Sequence, residues 1–139
     1  MPKSARSGNL QTEVCIVGCG PVGMVLATIL SKFNTHCMIL EKNAQLSDHP
    51  KAHYLSFRTC EILADLDPSL KAKLESQLDK VDHWKSFNYT RHALAEPFAS
   101  VQHLTSSDIY KFQEYFTYAY PSHFPQNRLN AALHEVVLK

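Results

Sequence analysis

Residues 13 to 41 constrain this chain more than any other stretch. Glu13 to Val17, E-V-C-I-V, is a short β-branched run without strict polar alternation, the pattern of a strand covered on both faces. It passes directly into Gly18-Cys19-Gly20-Pro21-Val22-Gly23 and then into the apolar run Met24 to Leu30, long enough for a helix. Phe33-Asn34-Thr35 supplies turn residues, and His36 to Leu40 forms a second apolar strand ending at Glu41. The order is strand, glycine turn, helix, strand. A parallel connection of this kind crosses over right-handedly and sets the turn at the carboxyl end of the first strand, where open α/β sheets bind ligands.

Each glycine of G-x-G-x-x-G has a physical task. Gly18 permits the tight turn, Gly20 lets backbone approach a diphosphate, and Gly23 lets the helix pack against the strand. Pro21 and Val22 complete the turn, whose unsatisfied N–H groups and helix-dipole end favour an anion. Glu41 follows about 20 residues beyond the glycines, where a carboxylate accepts hydrogen bonds from both ribose hydroxyls and disfavours a 2′-phosphate. Lys42, beside it, joins the same candidate set. The arrangement points to a dinucleotide. At this stage FAD and NAD are both open, as is a glycine-rich turn with a structural role only.

The next segment separates them. His49-Pro50-Lys51-Ala52-His53-Tyr54-Leu55-Ser56-Phe57-Arg58-Thr59-Cys60-Glu61-Ile62-Leu63 resembles the stretch that follows the ribose-binding acid in the class A flavin monooxygenases, the family of phenol and para-hydroxybenzoate hydroxylases. There it reads P-R-A, a short spacer and R-T-x-E-I-L. A later segment, Gln126-Asn127-Arg128-Leu129-Asn130-Ala131-Ala132-Leu133, is similar to the family's Q-x-x-L-E-x-x-L helix start, with Asn130 in place of Glu. The resemblance implies that Lys51 and Arg58 offer positive charge to the FAD diphosphate and that Gln126 hydrogen-bonds the cofactor. Lys51 stands where the family has Arg, keeping the charge but losing the bidentate fork. A pair between Arg58 and Glu61 within one helix is the alternative for Arg58, and a solvent-facing helix start is the alternative for Gln126.

The fold implied is α/β: the N-terminal portion of a Rossmann-like βαβ FAD-binding domain, with a few antiparallel strands of the substrate-facing sheet. Residues 1–12 are expected to be a flexible tail and residues 13–139 a truncated FAD-binding domain. The function implied is the FAD-binding part of an enzyme that hydroxylates phenolic substrates with NAD(P)H and O2, incomplete for catalysis in 139 residues. The family's later Asp-Gly and Gly-Asp-Ala motifs do not occur here. A non-catalytic interaction fragment, associating with a full-length relative, and an NAD-dependent Rossmann oxidoreductase are the alternatives.

Elsewhere the sequence reads more plainly. Leu70 to Lys80 is a charged amphipathic helix face, Trp84 to Tyr89 and Pro97 to Val101 suggest two antiparallel strands, and Leu129 to Leu138 is a closing helix. Asp65 to Ser69 and Pro121 to Pro125 read as loops. Tyr110, Phe112, Tyr115, Phe116, Tyr118 and Tyr120 suit packing, or the lining of a ring-binding cavity. Eight histidines lie without metal or catalytic spacing, and no side chain is assigned a catalytic or metal-binding role. Cys15, Cys19, Cys37 and Cys60 form no C-x-x-C pair, which suits reduced thiols in the cytoplasm. A net charge of +1 gives no footprint for nucleic acid, and Val22 to Leu30 is too short to span a membrane.

Overall fold

The computed structural model describes residues 11–77, 86–102, 111, 114–117, 119 and 121–139. Strand β1 (Val14–Val17) pairs in parallel with β2 (Cys37–Leu40), in register from Val14 opposite Cys37 to Val17 opposite Leu40. Helix α1 (Pro21–Lys32) connects them, as the βαβ reading requires. Strand β3 (Tyr54–Leu55), helices α2 (Phe57–Leu66) and α3 (Pro68–Ser76), and the antiparallel pair β4 (Ser86–Tyr89) and β5 (Ala99–Gln102) follow. Strand β6 (Ser122–His123) returns antiparallel to β3 and leads into α4 (Gln126–Val137).

The helix boundaries have local causes. Pro21 occupies the first helical position, where its missing N–H costs nothing, so α1 begins before the apolar run from Met24. Its end is marked by Asn34 at φ 55°, a left-handed position that asparagine tolerates better than most residues. At α2 the Ser56 hydroxyl accepts from the Thr59 N–H at 3.3 Å. At α3 the Asp67 carboxylate accepts from the Ser69 N–H at 2.7 Å, with Pro68 as the first helical residue.

Two expected loops are thereby corrected. Asp65 to Ser69 contains a break only at Asp67, which ends α2 and caps α3. Pro121 to Pro125 contains β6. The closing helix also starts at Gln126 rather than Leu129.

The core is one cluster in which Met24 of α1, Leu63 and Leu66 of α2, Leu70 and Leu74 of α3, and Leu129, Leu133 and Val136 of α4 meet with Phe124. Thus α3 keeps its charged face outward while Leu70 and Leu74 are buried. Ala27, Thr28 and Ser31 of α1 border a cavity of about 720 Å³ together with Leu66 of α2 and Val136 and Val137 of α4. Lys32 also donates to the carbonyl of Asp65. The carboxyl-terminal ends of α1, α2 and α4 therefore lie together.

Only one face of β1 is covered. Ile16 is buried against α1, whereas Val17 is 85% exposed and Leu40 is 48% exposed on the other face. The apolar run suggested cover on both faces; among the described residues α1 supplies one layer and nothing supplies the second. Strands β4 and β5 are the expected antiparallel pair, exposed throughout, with the hydroxyls of Ser86 and Ser100 donating to Asn88 Oδ1 at 3.1 and 2.8 Å. Tyr115 and Phe116 are also exposed, so neither packs into the core; Tyr110, Phe112, Tyr118 and Tyr120 lie outside the described residues. All four cysteines are free thiols, and burial pushes that of Cys60 up to about 11. No helix among the described residues is long and apolar enough to cross a membrane.

Gly23→Ala is expected to destabilise the chain by about 1–3 kcal/mol in urea unfolding, because overpacking forces backbone to shift. The added Cβ would lie 2.1 Å from the Gly18 carbonyl oxygen. A second test concerns Asp67, whose carboxyl is held well below the usual range by Lys139 and then by Ser69. Its contribution is present above the unfolded value of 3.8 and is lost as pH falls through the lower folded value. The stability gap between wild type and Asp67→Asn should therefore be widest near neutrality, shrink in acid, and narrow in high salt.

Candidate dinucleotide site

The turn after β1 is built by its glycines. Gly18 adopts φ 110°, which L side chains rarely reach, and its N–H donates to the Leu40 carbonyl at 2.7 Å, tying the turn to β2. Gly20 is the N-cap of α1, with extended backbone and no side-chain cap. The first ladder bond of the helix runs from the Met24 N–H to the Gly20 carbonyl at 3.0 Å, so the N–H groups of Val22 and Gly23 precede the ladder, and Pro21 has none. A Cβ at Gly20 would meet nothing within 4 Å. The protein's own packing does not require glycine there; the open space is what an anion approaching the N–H groups needs.

Glu41 closes the site from β2. Its Oε2 accepts from the Cys19 N–H at 2.8 Å, and its Oε1 accepts from the main-chain and side-chain N–H groups of Asn43 at 2.9 and 3.0 Å. These bonds hold the Glu41 carboxyl below its ordinary value, the Asn43 main-chain N–H first, then that of Cys19, with Lys42 contributing through its own N–H. Burial, then the Glu41 charge, raises the Cys19 thiol.

The other candidates lie on later parts of the chain. Gln126 begins α4, and its N–H donates to the Ala52 carbonyl at 2.7 Å, while the Phe124 N–H donates to that of His53. The short β3–β6 bridge thus joins the segment carrying Lys51 to the start of α4. Arg58 lies in the first turn of α2, where its guanidinium is 78% exposed and pairs with Glu61 at 3.1 Å. That is the within-helix alternative read from the sequence. Glu61 is held below its ordinary value by Thr117 first and Arg58 second. The structure brings Gly18 to Gly23 and Cys19 to Glu41 in direct contact, ties Ala52, next to Lys51, to Gln126, and sets Arg58 on Glu61. The 720 Å³ cavity lies at the opposite end, and none of the glycines or Glu41 lines it.

Three contributors escaped the sequence reading: the Cys19 N–H, the Asn43 clamp and the Ser56 cap. Asn two residues beyond an acid at a strand end, and Ser three residues before Thr59, carry the turn and cap signatures that reveal two of them.

The family model for the FAD binding domain matches residues 11–137. The chain belongs to this family. Among curated relatives, this chain is 32% identical over 99 residues to a 3-(3-hydroxy-phenyl)propionate/3-hydroxycinnamic acid hydroxylase of Mycobacterium sp. (strain JLS), covering 69% of this chain and 16% of that protein. It is 34% identical over 66 residues to 2,4-dichlorophenol 6-monooxygenase of Cupriavidus pinatubonensis (strain JMP 134 / LMG 1197), covering 48% of this chain and 11% of the relative. The fold superimposes on the flavin-dependent monooxygenase PieE, solved with FAD and substrate, with a TM-score of 0.80 at 22% identity over 95% of this chain and 23% of that one. Aklavinone-11 hydroxylase, solved with FAD and aklavinone, gives 0.74 at 19% identity over 94% and 24%. The chain therefore spans about a quarter or less of these proteins.

The lowered Glu41 carboxyl gives a test. Its bond to Cys19 is complete above the ordinary value of 4.5 and is lost as pH falls through the lower folded value. The Cys19 amide resonance should stay constant from pH 7 to 5 and move only in stronger acid.

Proposed function

We propose that residues 13–139 are the N-terminal portion of the FAD-binding domain of a flavin-dependent aromatic hydroxylase, with residues 1–12 leading into it. One observation carries the reading. Gly20, the N-cap of α1, has open space beyond it, and Glu41 is fixed on the Cys19 N–H of the same turn.

In this reading Gly18, Gly20, Pro21, Val22 and Gly23 form the diphosphate cradle, with N–H groups and the α1 dipole facing the charge. Glu41 accepts from the adenosine ribose, with Lys42 beside it. Lys51 and Arg58 add positive charge, which the diphosphate requires beyond the partial charge of one helix end. For Arg58, whose guanidinium is largely exposed, this means leaving Glu61. Gln126 offers an amide that donates to a phosphate or ribityl oxygen and accepts from a hydroxyl. FAD, when bound, supplies the redox chemistry, taking a hydride from NAD(P)H and using O2 to hydroxylate a phenolic ring; the chain's own residues bind and orient it. None is given a catalytic role.

The names of the relatives support a phenolic substrate class. Free thiols support a reducing, cytoplasmic setting. The near-neutral charge favours small-molecule ligands over nucleic acid, and the open face of β1 and β2 supports association with a longer relative.

Flavin fluorescence titration of the chain tests the proposal. Saturable FAD binding is expected, weakened at least about a hundredfold in Gly20→Asp, since two unit charges about 4 Å apart repel by roughly 4 kcal/mol near a protein surface. Folded protein that binds no FAD, or binds it equally with and without the substitution, would reject the cradle.

A further inference from the structure

The carboxylate of Glu41 is loaded unequally. Oε1 accepts both N–H groups of Asn43, at 2.9 Å from the main chain and 3.0 Å from the side chain, whereas Oε2 accepts the single N–H of Cys19 at 2.8 Å. An ionised carboxylate offers about four lone-pair sites, shared between its two oxygens. Asn43 puts two donors on Oε1 and Cys19 one on Oε2, so Oε2 is the less loaded oxygen, with the Lys42 N–H adding to the carboxyl as a whole.

We infer that Asn43 is a positioning residue for nucleotide recognition: by occupying Oε1 it leaves Oε2 as the acceptor, so that Glu41 receives one ribose hydroxyl rather than both. The inference rests on the reading of Glu41 as the ribose-binding acid and narrows it, because the sequence alone suggested a carboxylate open to both hydroxyls.

Two features make Asn43 suited to the task. It reaches back across two residues with a main-chain and a side-chain donor at once, a local arrangement that asparagine forms readily in turns. It also opposes rotation of the carboxylate, which would otherwise exchange its two oxygens between Cys19 and the ligand. Glu41 is exposed and has no packing to hold it, so hydrogen bonds alone set its orientation. The same bonds keep it ionised, the state that accepts a hydroxyl most strongly.

Calorimetric titration of wild type and Asn43→Ala with ADP, 2′-deoxy-ADP, 3′-deoxy-ADP and inorganic pyrophosphate, together with NMR titration of the Glu41 carboxyl, tests this. In wild type, one deoxy analogue should bind roughly tenfold more weakly than ADP, the worth of one charge-assisted hydrogen bond, and the other nearly as well. Asn43→Ala should weaken ADP by roughly five- to tenfold, leave pyrophosphate unchanged and raise the Glu41 midpoint. Asn43→Asp, which faces Glu41 with a like charge, should raise it further.

Equal losses for both deoxy analogues would overturn the single-hydroxyl assignment. An unchanged ADP affinity and Glu41 midpoint in Asn43→Ala would overturn the positioning role. Pyrophosphate binding with no gain for ADP would reject Glu41 as the ribose acid while sparing the glycine cradle. Failure of wild type to bind either compound would remove the nucleotide reading and this inference with it.

Discussion

The contact between residues 18 and 23 governs the structure. A side chain at Gly23 would stand 2.1 Å from the Gly18 carbonyl oxygen and 3.3 Å from Ile16 Cγ2, so α1 lies as close to β1 as backbone permits. That approach buries Ile16 and brings Met24 to the centre of the core. It also aims the start of α1 at the carboxyl end of the sheet. From α1 the other helices take their places: α2 and α4 pack into the same cluster as Met24 through Leu63, Leu66, Leu129 and Leu133. A helix held one side-chain layer further out would alter both the core and the direction in which its first N–H groups point.

Electrostatics follows from where the helices end. The amino-terminal end of a helix carries partial positive charge and its carboxyl-terminal end partial negative charge. The negative end is met by the protein's own cations, with Lys32 donating to the Asp65 carbonyl and Lys139 to Asp67 and Ser69. The positive end has Glu41, which is held by N–H groups and sits to one side of the cradle, on Cys19. The same logic accounts for the glycines: two are shaped by the chain's own geometry, and Gly20 by the space beyond it.

Much of this was legible in the sequence, for identifiable reasons. The β1–α1–β2 unit follows from contiguous patterns, and the strand pair β4–β5 from alternation of apolar and polar residues. The misreadings arise where one residue has two uses. Asp67 and Pro68 read as a loop, yet serve as cap and first helical residue; Pro121 and Pro125 read as a loop, yet flank a strand. The apolar run of β1 reads as covered on both faces, while the described residues cover one. Arg58 met its nearest carboxylate, Glu61, because an i, i+3 pair is always within reach whatever ligand the residue serves. Asn43 was overlooked because it supports another residue, and its role shows only when the hydrogen bonds on each carboxylate oxygen are counted.

The β3–β6 bridge bears on the order in which these parts assemble. Cys19 and Glu41 are 22 residues apart and can meet once the second strand exists. Tyr54 and His123, by contrast, pair across nearly seventy residues, and the segment holding Lys51 cannot be fastened to α4 until that long loop closes. Loop closure costs entropy before any contact returns it. The turn at residues 18–23 and its tie to Glu41 are therefore local structure, whereas the fastening of residues 52–53 to the start of α4 depends on the longest-range pairing described.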